Sequence, residues 1–156
     1  MRNIVIKLAA GLAIATIGMC GADNSLGTWT RNLAKSVSTP PAANPMKSLI
    51  IINAESGGWV QVTATGERQD GSPLHGSCSI KYDGKEYPVT GEAWDRISMK
   101  QIDANTFTFE RKKTGGNYHV TGRTVISKDG NTMTTTVKGT DGAGKPTSGK
   151  YVYDKQ

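Results

Sequence analysis

Cysteine is almost missing from this sequence. Its 156 residues contain Cys20 and Cys78 and no other. Cys20 ends an apolar N-terminal stretch, so a chain cut beyond it keeps one thiol. Such a chain has no internal disulfide, and packing alone must hold it. Histidine is as scarce: His75 and His119 lie far apart, with no cysteine at metal-ligand spacing. That excludes the usual zinc patterns, and we expect neither metal nor cofactor. Aromatic residues are 6% of the chain. No phosphate-binding loop, dinucleotide glycine fingerprint or Gly-x-Ser-x-Gly elbow is present. Nothing pairs a nucleophile with a base, and the aspartates sit mostly in turns (Asp70, Asp83, Asp103, Asp129, Asp141), so the chain does not read as an enzyme.

What is there begins with a leader. Arg2 and Lys7 precede a run from Leu8 to Met19 that is apolar or small throughout, and Cys20-Gly21-Ala22 supplies small residues for a peptidase. This reads as a secretory signal peptide, residues 1–22, cleaved after Ala22. The run is too short for a comfortable span, which needs about 20 residues. Lipidation at Cys20 is the alternative, although Met19 stands where lipoprotein signals place a small residue. The expected location is periplasmic or secreted, with no transmembrane segment in the mature chain.

Residues 23–156 are long enough for a single domain with a sizeable core. Losing Arg2 and Lys7 from the chain's 19 basic residues leaves 17 against 13 acidic ones, a formal charge of +4. Apart from Arg111-Lys112-Lys113 the basic residues are scattered, so we expect no nucleic acid partner. A mildly basic surface suits anionic glycans or lipid headgroups, or is simply solvated.

Turn signals arrive every few residues: Gly57-Gly58, Asp70-Gly71-Ser72-Pro73, Asp83-Gly84, Gly115-Gly116, Asp129-Gly130. Between them lie short runs rich in Thr, Val, Ile, Tyr and Phe, the pattern of successive β-hairpins. No segment after residue 38 keeps a 3.6-residue apolar period; Asn32 to Ser38 reads as a turn or so of helix, stopped by Pro40, Pro41 and Pro45. Two-residue turns at Asp129-Gly130 and Gly115-Gly116 pair Ile126 with Met133, Arg123 with Thr136, Phe109 with Gly122 and Arg111 with Val120. Both hairpins then place Phe107, Phe109, Val120, Ile126, Met133 and Val137 on one face. A three-residue turn at Asp103-Ala104-Asn105, with Asn105 left-handed, aligns Ile97 and Met99 with Arg111 and Phe109. Asp83-Gly84 pairs Ile80 with Tyr87 and Cys78 with Val89, and brings Lys81 to Glu86 outside. A loop at Gly71 to Pro73 sets Val62 opposite Tyr82 and Ala64 opposite Ile80. Gly57-Gly58 sets Leu49 and Ile51 near Gly66 and Ala64. One dry face then runs across about ten strands in sequential order, and such a meander must curl to bury it. The predicted fold is all-β, an antiparallel up-and-down β-barrel of about 8–10 strands, with a β-sandwich as runner-up.

Gly27-Thr28-Trp29 resembles the Gly-x-Trp step that opens the first strand of calycins, the lipocalin, fatty-acid-binding-protein and avidin group. The strings "GTWTRNLAKS" and "SKDGNTMTTTVKGTDGAGKP" also resemble small exported bacterial lipocalin-like proteins. The resemblance spans residues 25–156. It implies that Gly27 and Trp29 plug one barrel end, with Lys150 or Lys155 as the basic partner of the indole. Two fatty-acid-binding-protein features do not carry over. Residues 32–47 are too short and proline-rich for a two-helix lid. The last strand, Gly149 to Tyr153, has no arginine two before either tyrosine, so it lacks that family's Arg-x-Tyr carboxylate clamp.

The expected function is non-catalytic binding of a small hydrophobic or amphipathic ligand, in a cavity lined by Ile97, Met99, Phe107, Phe109, Val120 and Met133. Arg111 faces inward near a strand end, either as a clamp for a ligand carboxylate or reaching water at the rim. Tyr82 and Tyr87 point inward as hydroxyl donors to ligand or backbone. Cys78 reads as a small buried hydrophobe. Arg123 faces out, in a surface ion pair with Glu110 or beside Thr136. Ile50, Ile52 and Trp59 form an outer apolar patch, a surface for a protein partner or dimer unless the segment before residue 47 covers it. The alternative function rests on that patch or the loops: an envelope interaction module or inhibitor with a filled core.

Overall fold

The computed structural model describes residues 23–41 and 46–156. The leader and Cys20, with Pro45, lie outside the described residues. Ten strands follow one another: β1 Gly27–Thr39, β2 Met46–Ser56, β3 Trp59–Arg68, β4 Pro73–Ile80, β5 Asp83–Thr90, β6 Arg96–Asp103, β7 Thr106–Lys112, β8 His119–Ile126, β9 Thr132–Thr140 and β10 Pro146–Lys155. Each pairs antiparallel with its sequence neighbours, and β1 pairs β10 to close the barrel. This is the up-and-down barrel the alternation demands, not a sandwich. Closure leaves no edge strand to template aggregation.

The registers from Gly57-Gly58, Gly115-Gly116 and Asp129-Gly130 are those expected: Leu49 faces Gly66, Phe109 faces Gly122 and Ile126 faces Met133. Ile97 and Met99 meet Arg111 and Phe109 as expected. Asn105, however, is not left-handed, since no residue but glycine has positive φ among the described residues. An irregularity between Gln101 and Asp103 absorbs the odd residue instead. The five aspartates expected in turns brace their own backbone: Asp70, Asp83, Asp103, Asp129 and Asp141 each accept from the amide two residues on, at 2.8–3.1 Å.

Three local expectations fail. Asn32 to Ser38 is strand, not helix, because β10 pairs with β1 on both sides of it. Residues 33–36 bulge outward opposite Tyr151 alone. Ser36 Oγ closes the bulge, donating to Asn32 O at 2.7 Å and accepting from Val152 N at 3.0 Å. Next, Val62 faces Cys78 and Ala64 faces Gly76, four residues from the expected register. The β3–β4 turn centres on Asp70 rather than on Ser72, with Arg68 N donating to Ser72 O at 2.9 Å. The slip is even, so no side chain changes face. Last, Asp83-Gly84 is no hairpin turn. Both residues belong to β5, and Asp83 pairs with Lys100 of β6. Cys78 still faces Val89, but the β4–β5 ladder holds only that pair and Ser77–Thr90. Ile80 and Tyr87 do not pair. Lys81 lies 4.7 Å from the Trp59 ring, while Glu86 pairs with Lys112.

Candidate functional site

One barrel end is sealed. Trp29 is fully buried there, and its Nε1 donates to Ser25 O at 2.8 Å. Asn53 Nδ2 donates to the same carbonyl at 2.9 Å. Ser25 Oγ donates to Asp23 at 2.5 Å and meets the Tyr82 hydroxyl at 2.9 Å. Residues 23–26 thus strap the barrel floor. Lys155, across from Trp29 in the β1–β10 seam, sets its Nζ 5.1 Å from the indole centre. A Cβ on Gly27, where φ is +122°, would lie 3.0 Å from that lysine chain. Lys150 is exposed and pairs with Thr136.

Above this floor the barrel holds an interior cavity of about 310 Å³. Its apolar wall includes Met46, Leu49, Ile51, Ile97, Met99 and Met133. Its polar side chains are Arg31, Arg68, Arg111, Glu92, Asn53, several hydroxyls and Cys78. Among the hydroxyls, Thr124 and Thr135 satisfy each other at 2.9 Å.

Of the candidate ligand residues, Arg111, Tyr82 and Met99 line this cavity. Phe107 is fully buried against the Tyr82 ring, 4.9 Å away, as core rather than wall. Phe109 fills the space a side chain on Gly122 would need, its ring 4.5 Å from the Arg111 guanidinium. Val120 is likewise buried core. Tyr87 is not brought to the site: its ring stands edge-on to Trp59 at 5.5 Å and its hydroxyl donates to Asp83 at 2.9 Å. The parting of β4 from β5 frees it to lean that way. Arg123 is exposed beside Thr136, but Glu110 pairs with His119 at 2.6 Å, so the expected ion pair is not made. Ile50, Ile52 and Trp59 are exposed on the outer face.

Sequence reasoning missed Arg31. It follows Trp29 by two, on the same face, and the helical reading of Asn32 to Ser38 drew attention from it. It is 6% exposed, its guanidinium 3.9 Å from the Tyr151 ring centre and 5.9 Å from that of Tyr153. Its Nε and Nη1 are buried without a partner, as are Arg111 Nε and Asn53 Oδ1. Arg111 also lies 4.8 Å from the Trp94 ring. Trp94 and Glu92 come from the β5–β6 loop, which no strand pattern marks.

Burial dominates the titrations. It pushes the Cys78 thiol up to about 11, and raises the Tyr82, Tyr118 and Tyr153 hydroxyls. It also raises the Glu92 carboxyl, against the pull of Arg111 and Arg68.

Together these features define a class: a small closed ten-strand up-and-down β-barrel with an interior cavity. No family model and no curated protein matches the chain. Two solved structures are similar to it in general form. A structure of EF1p2_mFAP2b bound to DFHBI is 11% identical, covers 85% of this chain and 94% of its own, and has a TM-score of 0.47. A redesigned β-barrel, mFAP1, bound to DFHBI, is 14% identical, covers 85% and 95%, and has a TM-score of 0.42.

Proposed function

We propose that this protein is an exported, non-catalytic binding protein that holds a small amphipathic ligand inside its barrel. The observation behind this reading is the cavity of about 310 Å³, whose wall combines methionines and aliphatic side chains with arginines and tyrosines. Ligand sites combine an apolar lining with a few placed polar groups. The volume is that of about ten water molecules at ~30 Å³ each, so the ligand is small. Export rests on the leader and predicts that the cell-envelope form begins at Asp23, which N-terminal sequencing checks.

Native mass spectrometry, before and after organic extraction, tests the binding. A bound small molecule that extraction removes, and that rebinds, is the expected result. A barrel that carries nothing and takes up nothing overturns the reading. A second reading rests on the exposed Ile50, Ile52 and Trp59, at 39%, 43% and 37%. There the partner is a protein, and Ile52→Lys abolishes its capture from envelope extracts.

A further inference from the structure

We infer that the cavity is built for an organic anion, whose charge sits between Arg31 and Arg111 and whose apolar body lies toward Met99 and Met133. This rests on the ligand-binding reading above and names the chemistry of the ligand.

Arg31 carries the argument. Folding has removed its guanidinium from water, with only 6% of the residue exposed, and has left Nε and Nη1 unpartnered. A cation so placed needs an anion or several carbonyls. The described structure gives it aromatic rings instead, Tyr151 at 3.9 Å and Tyr153 at 5.9 Å. A ring engages the flat face of a guanidinium. The N–H donors point outward in its plane and stay free for a carboxylate or sulfonate, which can take two at once.

Arg111 repeats the arrangement from the other side of the barrel. Phe109 and Trp94 lie 4.5 and 4.8 Å from its guanidinium, and its Nε is likewise buried and unpartnered. Both arginines line the same cavity, together with Tyr151 and Tyr153. Two cations held apart on aromatic supports, with donors facing a shared space, make a cradle for one anionic group.

The other ionisable groups on the wall set the ligand's charge. Arg68 is committed to its own loop, donating to Pro73 O at 2.7 Å. Glu92 lines the cavity but folds over Gly76, its Oε1 2.7 Å from where a Cβ would be. It makes no ion pair with either interior arginine among the described contacts. Three guanidiniums, those of Arg31, Arg68 and Arg111, stand against the one carboxyl of Glu92, so the wall is net positive and the ligand it suits is an anion.

The test compares two probes of nearly equal shape, 4-phenylbutyrate and 4-phenylbutan-1-ol, titrated calorimetrically into the extracted protein. The acid should bind at least tenfold more tightly. Arg31→Met and Arg111→Met should each cost tenfold or more on the acid and less than twofold on the alcohol. Unliganded Arg31→Met should melt no lower than wild type, since it loses an unpaired buried charge; if it fails to fold, Arg111→Gln and the wild-type probe ratio still decide. Equal binding of acid and alcohol, or a neutral or cationic natural ligand in the mass spectrum, overturns the inference and leaves the binding reading standing. Binding of neither probe by a barrel that also carries nothing through purification overturns both. An anionic natural ligand lost from both arginine variants supports it.

Discussion

At the scale of single residues, Glu92 and Cys78 give the sharpest tests. Burial raises the Glu92 carboxyl above its ordinary 4.5, so the folded barrel prefers it neutral. A raised acid costs stability once pH climbs above the unfolded value, and the cost is absent below it. Glu92→Gln should therefore stabilise the protein at pH 7, and the gain should vanish as pH falls below about 4.5, which denaturant melts at several pH values measure. Cys78 lines the cavity with its thiol pushed up to about 11. At pH 8 roughly one thiol in a thousand is then ionised, and only the thiolate reacts. A thiol-exchange dye should ignore the native protein and react promptly with the unfolded chain. Arg111, Met99 and Tyr82 were legible as inward residues because hairpin parity reaches them. Arg31 has the same parity from Trp29, but three prolines nearby suggested a broken helix. Tyr87 shows the reverse: its parity is inward, yet a side chain at a parted ladder is free to lean elsewhere.

At the scale of elements, turns on their own placed most strands. Where Gly-Gly or Asp-Gly joins two ladders directly, the register follows. Where several turn residues adjoin, as in Asp70-Gly71-Ser72-Pro73, hydrogen bonds decide where the turn centres, and local chemistry gives only the face. The Asp83-Gly84 step misleads because Tyr82 has already turned inward, to Ser25 and Phe107, before Asp83 begins β5. The β4–β5 ladder should accordingly be the weakest in the barrel. Amides of Ser79 to Asp83 should exchange with deuterium well before those of β8 and β9, read by exchange mass spectrometry. Packing across β7, β8 and β9 depends on a missing side chain. A Cβ on Gly122 would overlap the Phe109 ring and lie 2.6 Å from Thr136 O. Gly122→Ala should cost about 2–3 kcal/mol in a urea melt, the scale of core overpacking.

At the scale of the whole molecule, closure follows from counting wet and dry faces, which is why the barrel was readable before any coordinates. Its interior volume was not. The cavity depends on how the strands stagger, and on how far Phe107, Phe109 and Val120 withdraw into packed core. Among the described residues no helix is long and apolar enough to cross a membrane. Because the sheet is one closed ring, stability should be all-or-none. Removing Lys150 to Gln156 takes six of the ten residues of β10 and its pairing with Trp29 to Asn32 and with Val37, and should abolish cooperative thermal unfolding by circular dichroism.

The β1–β10 seam also sets a clock. Trp29 and Lys155 stand side by side in the folded wall and at opposite ends of the chain. A polypeptide emerging N-terminus first presents β1 first and β10 last. Until β10 arrives, Trp29 has no Lys155 beside it and Arg31 has no tyrosine to lie on. The early hairpins form locally, but the ring waits, since its closing contact spans nearly the whole chain and carries the largest loop-closure entropy. The barrel is therefore a shape that the chain assumes only once its last strand is present, and holding back β10 alone is enough to keep it open.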